Sequence, residues 1–160
     1  MIDQFLPALT LAAALGAGLI AGAFYAFSTF VMRALLRVPP LEGMAAMQSI
    51  NVAVINPLFL GVFLGTAAAC AATGVMAALR WERPGAGYLL AGSLLYVVGT
   101  FGVTMVFNVP LNNALAGVGP GDADGPRRWA DYANRWTTWN HVRTAAAAAA
   151  LAAFFLAARA

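Results

Sequence analysis

Residues 135–144 read RWTTWNHVRT, and they crowd two tryptophans, an asparagine, a histidine and two arginines into ten positions. Trp136, Trp139, Asn140 and Arg143 follow the spacing i, i+3, i+4, i+7, which puts them on one stripe of a helix. Tyr132 extends that stripe by one turn, and His141 stands about 100° round the helix from Asn140. A second stripe, Thr100, Thr104, Asn108 and Asn112, has polar residues four apart, provided the helix continues past Pro110. Gln48 and Asn51 share a face further upstream, and Tyr25, Ser28 and Thr29 form a fourth polar group. A cation, several neutral amides, aromatic faces and one imidazole suit a flat, hydrophobic, weakly acidic phenol or ketone. A guanidinium with amides stabilises an oxyanion, indoles stack on rings, and histidine is the side chain that exchanges protons near neutrality.

These groups are set in a chain that is 62% hydrophobic and only 9% charged. A soluble domain carries roughly a quarter charged residues, so composition points to an integral membrane protein. All nine basic residues are arginine, and the net charge of +3 is spread along the chain. It is not the basic patch that marks nucleic-acid binding. The single cysteine, Cys70, lies in an apolar run and reads as a small hydrophobe.

Apolar helices need about 20 residues to cross the hydrocarbon core. The sequence predicts one all-α domain over residues 1–160, an up-and-down four-helix membrane bundle. Its spans fall at about 5–32, 44–79, 88–109 and 129–158, with a Gly-, Pro- and Asp-rich loop over 111–127. The opening MIDQFLPALTLAAALGAG lacks a basic lead and is expected to stay as a transmembrane helix rather than be cleaved. Pro57 is expected to kink the second span by freeing the carbonyl of Ala53.

Thr144 to Ala158 is too short to cross alone, so residues 136–143 lie at or near membrane depth on a face turned to protein. Alternate helices run in opposite directions, which brings the four polar groups to one level, the mouth formed by the first and third connections. An arginine at that depth costs a few kcal/mol unless partnered. Its expected partners are Asp131, Glu42, Asp122 or Asp124, or else the amide and carbonyl oxygens of Asn51, Asn108 and Asn140. The mouth also carries Arg33, Arg37, Arg127, Arg128 and Arg135 against Arg80, Arg83 and Arg159 opposite. The positive-inside rule then puts the site-bearing loops in the cytoplasm.

Several chemistries are excluded or left without support. One histidine, one distant cysteine and no intramembrane carboxylate do not supply a metal site. No glycine-rich phosphate loop and no Ser-His-Asp constellation is visible, and a proton-coupled transporter would want an intramembrane acid. Haem on His141 as a single axial ligand stays open, with no attachment motif to support it. Plain readings also stand beside the functional one. The tryptophans fit an interfacial aromatic belt, Arg143 a snorkelling cation, and the threonines hydroxyls bonded back to their own helix.

At GAGLIAGAFYAFSTFVMRAL with MAAMQSINVAVINPLF, at FNVPLNNAL, and at WADYANRWTTWNHVRTAAAAAA, the chain resembles the anthrone oxygenase family of small membrane proteins. The resemblance covers most of the chain in order, and Asn-Val-Pro-Leu-Asn and Trp-x-x-Trp-Asn-x-x-Arg are its specific elements. It implies oxidation of an anthrone-like or phenolic aromatic by O2 without flavin or metal. It carries over Asn51, Asn108, Asn112, Trp136, Trp139, Asn140 and Arg143 as motif positions.

Under that resemblance His141, Arg143 and Asn140 are the expected catalytic residues. His141 acts as base, and Arg143 with Asn140 stabilises the enolate. Trp136, Trp139, Asn51, Asn108, Asn112 and Tyr25 are expected to line the substrate. The expected partners are the lipid bilayer, a small hydrophobic aromatic and, as an open question, further copies of the chain. Two rival readings are a non-enzymatic membrane module that binds a ligand or partner helices, and a haem- or quinone-linked redox protein.

Overall fold

The computed structural model describes residues 2–160, and its order is wholly helical among them. Helix α1 (Ile2–Ala26) passes through a π-helical turn (Phe27–Val31) into α2 (Met32–Leu35). Helix α3 (Pro40–Ala53) and helix α4 (Pro57–Leu79) follow. Helix α5 (Ala86–Leu94) runs on through two π-helical segments, Leu95–Gly102 and Thr104–Asn108, into α6 (Val109–Ala116). Helix α7 (Gly125–Ala157) closes the chain. Four stretches are long and apolar enough to cross a membrane: Phe5–Leu35, Pro57–Leu79, Ala86–Ala116 and Gly125–Ala157.

Each span packs on its sequence neighbours, and α7 closes the ring against α1. Glycine lets these helices meet closely, as the absence of a hydrophobic drive between helices in lipid demands. A Cβ on Gly99 would stand 2.7 Å from the Cβ of Ala146 on α7, and one on Gly92 would stand 3.0 Å from the Phe154 ring. The Ala146 contact has no flexible side chain to give way. Gly99→Val should therefore push α7 off the third span and lower stability by roughly 1–3 kcal/mol, as overpacking does. A thermal melt of the detergent-solubilised variant reads that loss directly.

The second span departs from the sequence expectation of one kinked helix from 44 to 79. The chain breaks at Val54–Asn56, and α3 is a separate helix lying across the mouth. Asn56 makes the break. Its backbone is extended (φ −133°, ψ 158°), and its Oδ1 caps α4 by accepting from the amides of Leu58 (3.1 Å) and Phe59 (3.0 Å). Its Nδ2 donates to the carbonyl of Ala53 at 2.9 Å, the group that Pro57 was expected to orphan. An Asn N-cap followed by Pro at the first helical position is a start signal, not a kink.

The expected loop over 111–127 is also shorter, because the helix runs on to Ala116 and the connection covers only 117–124. Pro110 is tolerated because the preceding π turn already rearranges the hydrogen bonds its ring would disrupt.

Two apolar clusters hold the bundle. One lies toward the distal half and includes Ala13, Ala17, Ile20, Phe24, Phe63, Tyr96, Ala150 and Phe154, with Cys70 fully buried among them. The other sits at the mouth, where Met44 and Met47 of α3 pack with Trp129, Tyr132 and Trp136 of α7. Gln48 fixes α3 there by donating to the carbonyls of Leu115 (2.9 Å) and Val118 (3.0 Å) at the end of α6. Buried Thr100, Asn108, Asn140 and Arg143 lie between these clusters.

Candidate functional site: a buried guanidinium between rings and amides

Arg143 is 3% exposed and has no carboxylate partner among the described residues. Asp122 and Asp124 pair instead with Arg128 and Arg127 near the surface. The guanidinium lies between two aromatic faces, 4.0 Å from the Phe24 ring centroid and 5.0 Å from that of Trp136. Nη2 donates to Asn140 Oδ1 at 2.7 Å, and Nη1 donates to Thr104 Oγ1 at 3.3 Å. Desolvated cation–π contacts contribute roughly 2 kcal/mol each, and a hydrogen bond to a charged group about 1.5–3 kcal/mol. Together they offset the ~2.5–3.5 kcal/mol insertion cost of an arginine at bilayer depth. Neutral partners leave the positive charge uncancelled.

Asn140 is the hub. It accepts from Arg143, and its Nδ2 donates to the Phe24 carbonyl (2.8 Å) and to Ser28 Oγ (2.8 Å), tying α7 to the first span. Thr144 Oγ1 donates to the Asn140 carbonyl at 2.8 Å and stands 3.1 Å from Ser28 Oγ. On the other side, Thr100 donates to the Arg143 carbonyl at 3.4 Å, and Asn108 Nδ2 donates to the Trp136 carbonyl at 3.2 Å. Asn112 Oδ1 accepts from both Tyr132 Oη (3.0 Å) and Trp136 Nε1 (2.9 Å), and Asn51 donates to Tyr132 Oη at 3.4 Å. Two buried polar atoms in this layer, Asn108 Oδ1 and Arg143 Nε, have no hydrogen-bond partner among the described residues.

The π segments explain how one helix can present four residues spaced by four. In an α-helix, residues four apart drift about 40°, so Thr100 and Asn112 would part company. A π turn holds more residues and turns the helix back. The amides of Val103 and Val109 reach the carbonyls five residues earlier, Val98 and Thr104. Thr100, Thr104, Asn108 and Asn112 consequently all meet α7. The first span also turns π-helical at this level, over Phe27–Val31, and π turns are frequent at functional sites.

The expected residues divide into two sets. The structure brings Asn51, Asn108, Asn112, Trp136, Asn140 and Arg143 into one connected layer. It does not bring in three others. Tyr25 is 59% exposed, because it follows Phe24 by about 100° and Phe24 is the residue whose ring meets Arg143. Trp139 stacks on Phe107 at 3.6 Å between centroids and 7° between planes, at the edge of the stripe.

His141 is exposed and lies about 200° round the helix from Arg143, so the two do not face each other. Trp136, for its part, is already occupied by Arg143, Phe27 at 5.5 Å and Tyr132 at 6.4 Å. The expected stacking of substrate on these two indoles therefore meets a Trp136 ring that is already covered and a Trp139 ring with one face taken by Phe107. His141 instead lines a groove of about 280 Å³ between the end of the first span and the start of α7, where Ser28, Arg33 and Thr137 also stand. Sequence reasoning gave no site role to Arg33 or Thr137. The signal was available for Ser28, which follows Phe24 by four residues and so falls on its face of the first span.

These features define a class: a helical bundle of membrane-crossing length with an amide- and ring-held cation buried between its two apolar clusters. Residues 59–153, more than half of the chain, match the anthrone oxygenase family, and the chain belongs to that family. The matched segment contains Asn108, Asn112, Trp136, Asn140 and Arg143. Among curated proteins and among solved structures, nothing matches the chain.

Proposed function

We propose that the protein is a membrane oxidoreductase that oxidises an anthrone-like or phenolic aromatic with O2, needing no resident cofactor. The observation that carries the proposal is Arg143, a buried cation with no carboxylate to cancel it among the described residues, in a chain of the anthrone oxygenase family. A permanent ion pair would neutralise the field, whereas rings and amides hold the cation in place and leave its potential available to a developing anion. Low dielectric around the site strengthens that effect.

The reaction balances with O2 alone. His141 takes a benzylic proton, leaving an enolate whose negative charge rests on the aromatic oxygen. The enolate passes one electron to O2, the two radicals combine into a hydroperoxide at the same carbon, and loss of water leaves a carbonyl. Overall, a CH2 and O2 become a C=O and H2O. Arg143 acts through Asn140 and Ser28 rather than by touching the substrate. The arginine count at the mouth supports placing that end in the cytoplasm.

Oxygen uptake by the purified full chain with 1,8-dihydroxyanthrone, corrected for autoxidation, tests this reading. Uptake matched by stoichiometric anthraquinone is the expected result. No uptake above the protein-free rate, with this and other anthrone-type compounds, would leave a ligand-binding membrane module. A visible absorbance band in the purified protein would shift the account to haem or quinone chemistry.

A further inference from the structure

The groove beside the guanidinium layer has a composition the layer itself lacks. It is about 280 Å³, close to the lower end of small-molecule sites at roughly 300 Å³, and it has an apolar side formed by Phe27, Met32 and Leu36. Its polar side holds Ser28, Arg33, Thr137 and His141. Two details bear on what it could hold. Thr29, Thr104, Thr138 and Thr144 each donate to the carbonyl four residues earlier. Thr137 does not, and its buried Oγ1 has no partner among the described residues. Such a group costs about 1–3 kcal/mol when left unsatisfied. The second detail is that Ser28 links the groove to the buried cation. Arg143 donates to Asn140, and Asn140 donates to Ser28 Oγ. The only hydrogen of Thr144 Oγ1 goes to the Asn140 carbonyl, so the Ser28 hydroxyl is the donor in their contact. Turning that hydrogen toward a ligand oxygen costs one neutral hydrogen bond.

We propose that this groove is where the protein binds its substrate, a flat, weakly acidic aromatic held by its oxygen-bearing edge. Ser28 and Arg33 face the oxygen, Thr137, whose Oγ1 is closed off from solvent, turns its hydroxyl to the ligand, and His141 stands at the same cavity to receive the proton. The apolar wall takes the rings. This rests on the oxidase reading for the identity of the ligand, but the location is independent of turnover. It makes Ser28, Arg33 and Thr137 substrate-binding residues and leaves Arg143 a positioning residue.

Binding is measured on the detergent-solubilised full chain with 1-hydroxyanthraquinone, a tricycle that O2 does not oxidise, by quenching of tryptophan fluorescence. Ala130 lines the groove and is exposed, so Ala130→Phe fills the cavity without removing a core contact. It should weaken binding at least tenfold with an unchanged melting temperature. Thr137→Val, which keeps the shape and removes the hydroxyl, and Arg33→Gln should each weaken it several-fold and raise KM more than they lower kcat. Ala114→Phe fills the cavity on the other flank of α7 and should change nothing. Failure of the wild type to bind, unaltered binding in Ala130→Phe, or loss in Ala114→Phe instead would overturn the groove assignment, whatever the oxygen uptake. Loss in Ala130→Phe from a protein that consumes no O2 would keep the groove and remove the oxidase.

Discussion

Arg143→Gln should lower kcat for oxygen uptake on the order of tenfold, less than the ~10²–10³-fold cost of removing a donor that touches the oxyanion, because the guanidinium acts through Asn140 and Ser28, while leaving KM and the fold nearly unchanged. Glutamine keeps a donor for Asn140 Oδ1 and loses the charge, so the comparison isolates the potential from the hydrogen bond. KM stays put because the guanidinium is buried behind Phe24 and Trp136 and does not contact the groove. Stability should hold or rise, since replacing a buried charge by a neutral side chain of similar size is often neutral or better. Arg143→Lys keeps the charge but loses the flat stack between the two rings, and should fall between wild type and glutamine. Full activity in Arg143→Gln would remove the cation from the mechanism.

Asn140→Leu should be the most destabilising single change at the site, by about 3 kcal/mol or more, because it leaves a charge buried without its shortest hydrogen bond. It also strips the donors to the Phe24 carbonyl and to Ser28, which join α7 to the first span. For a chain of this size that corresponds to a fall in melting temperature on the order of 10 °C. The double variant Asn140→Leu with Arg143→Met should recover most of the loss, because the stranded charge is gone. A coupling energy above about 1 kcal/mol in that cycle is the expected result. Strict additivity would mean that Asn140 and Arg143 do not depend on each other.

The four spans and the polar level were legible because hydropathy and i, i+4 spacing are read one helix at a time. Arg143 had to be buried and partnered because the apolar run after it is too short to cross alone. Its choice of rings and amides over Asp131 was not legible, since that depends on where Phe24 and Thr104 sit on other helices. The break at Asn56 was encoded as a cap followed by proline but competes with the reading of a kink, and only the side chain's reach back to Ala53 decides it. Trp139 was misplaced because i+3 falls about 60° short of a full turn, enough to turn it from Trp136 toward Phe107. The π turns have no evident residue signature here, and they align Thr100 with Asn112. The groove with His141 and Thr137 arises between two helices 100 residues apart, beyond the reach of any single stripe.

The most direct test of the account is the state of the substrate before oxygen arrives. Under strict exclusion of O2, an anthrone bound to the wild-type protein should show the absorbance of its enolate at a pH where the free compound is the ketone, and Arg143→Gln should bind the same compound as ketone. An anthrone that stays in the keto form on the wild type, or an enolate equally strong in Arg143→Gln, would contradict the claim that the buried guanidinium is there to stabilise an anion.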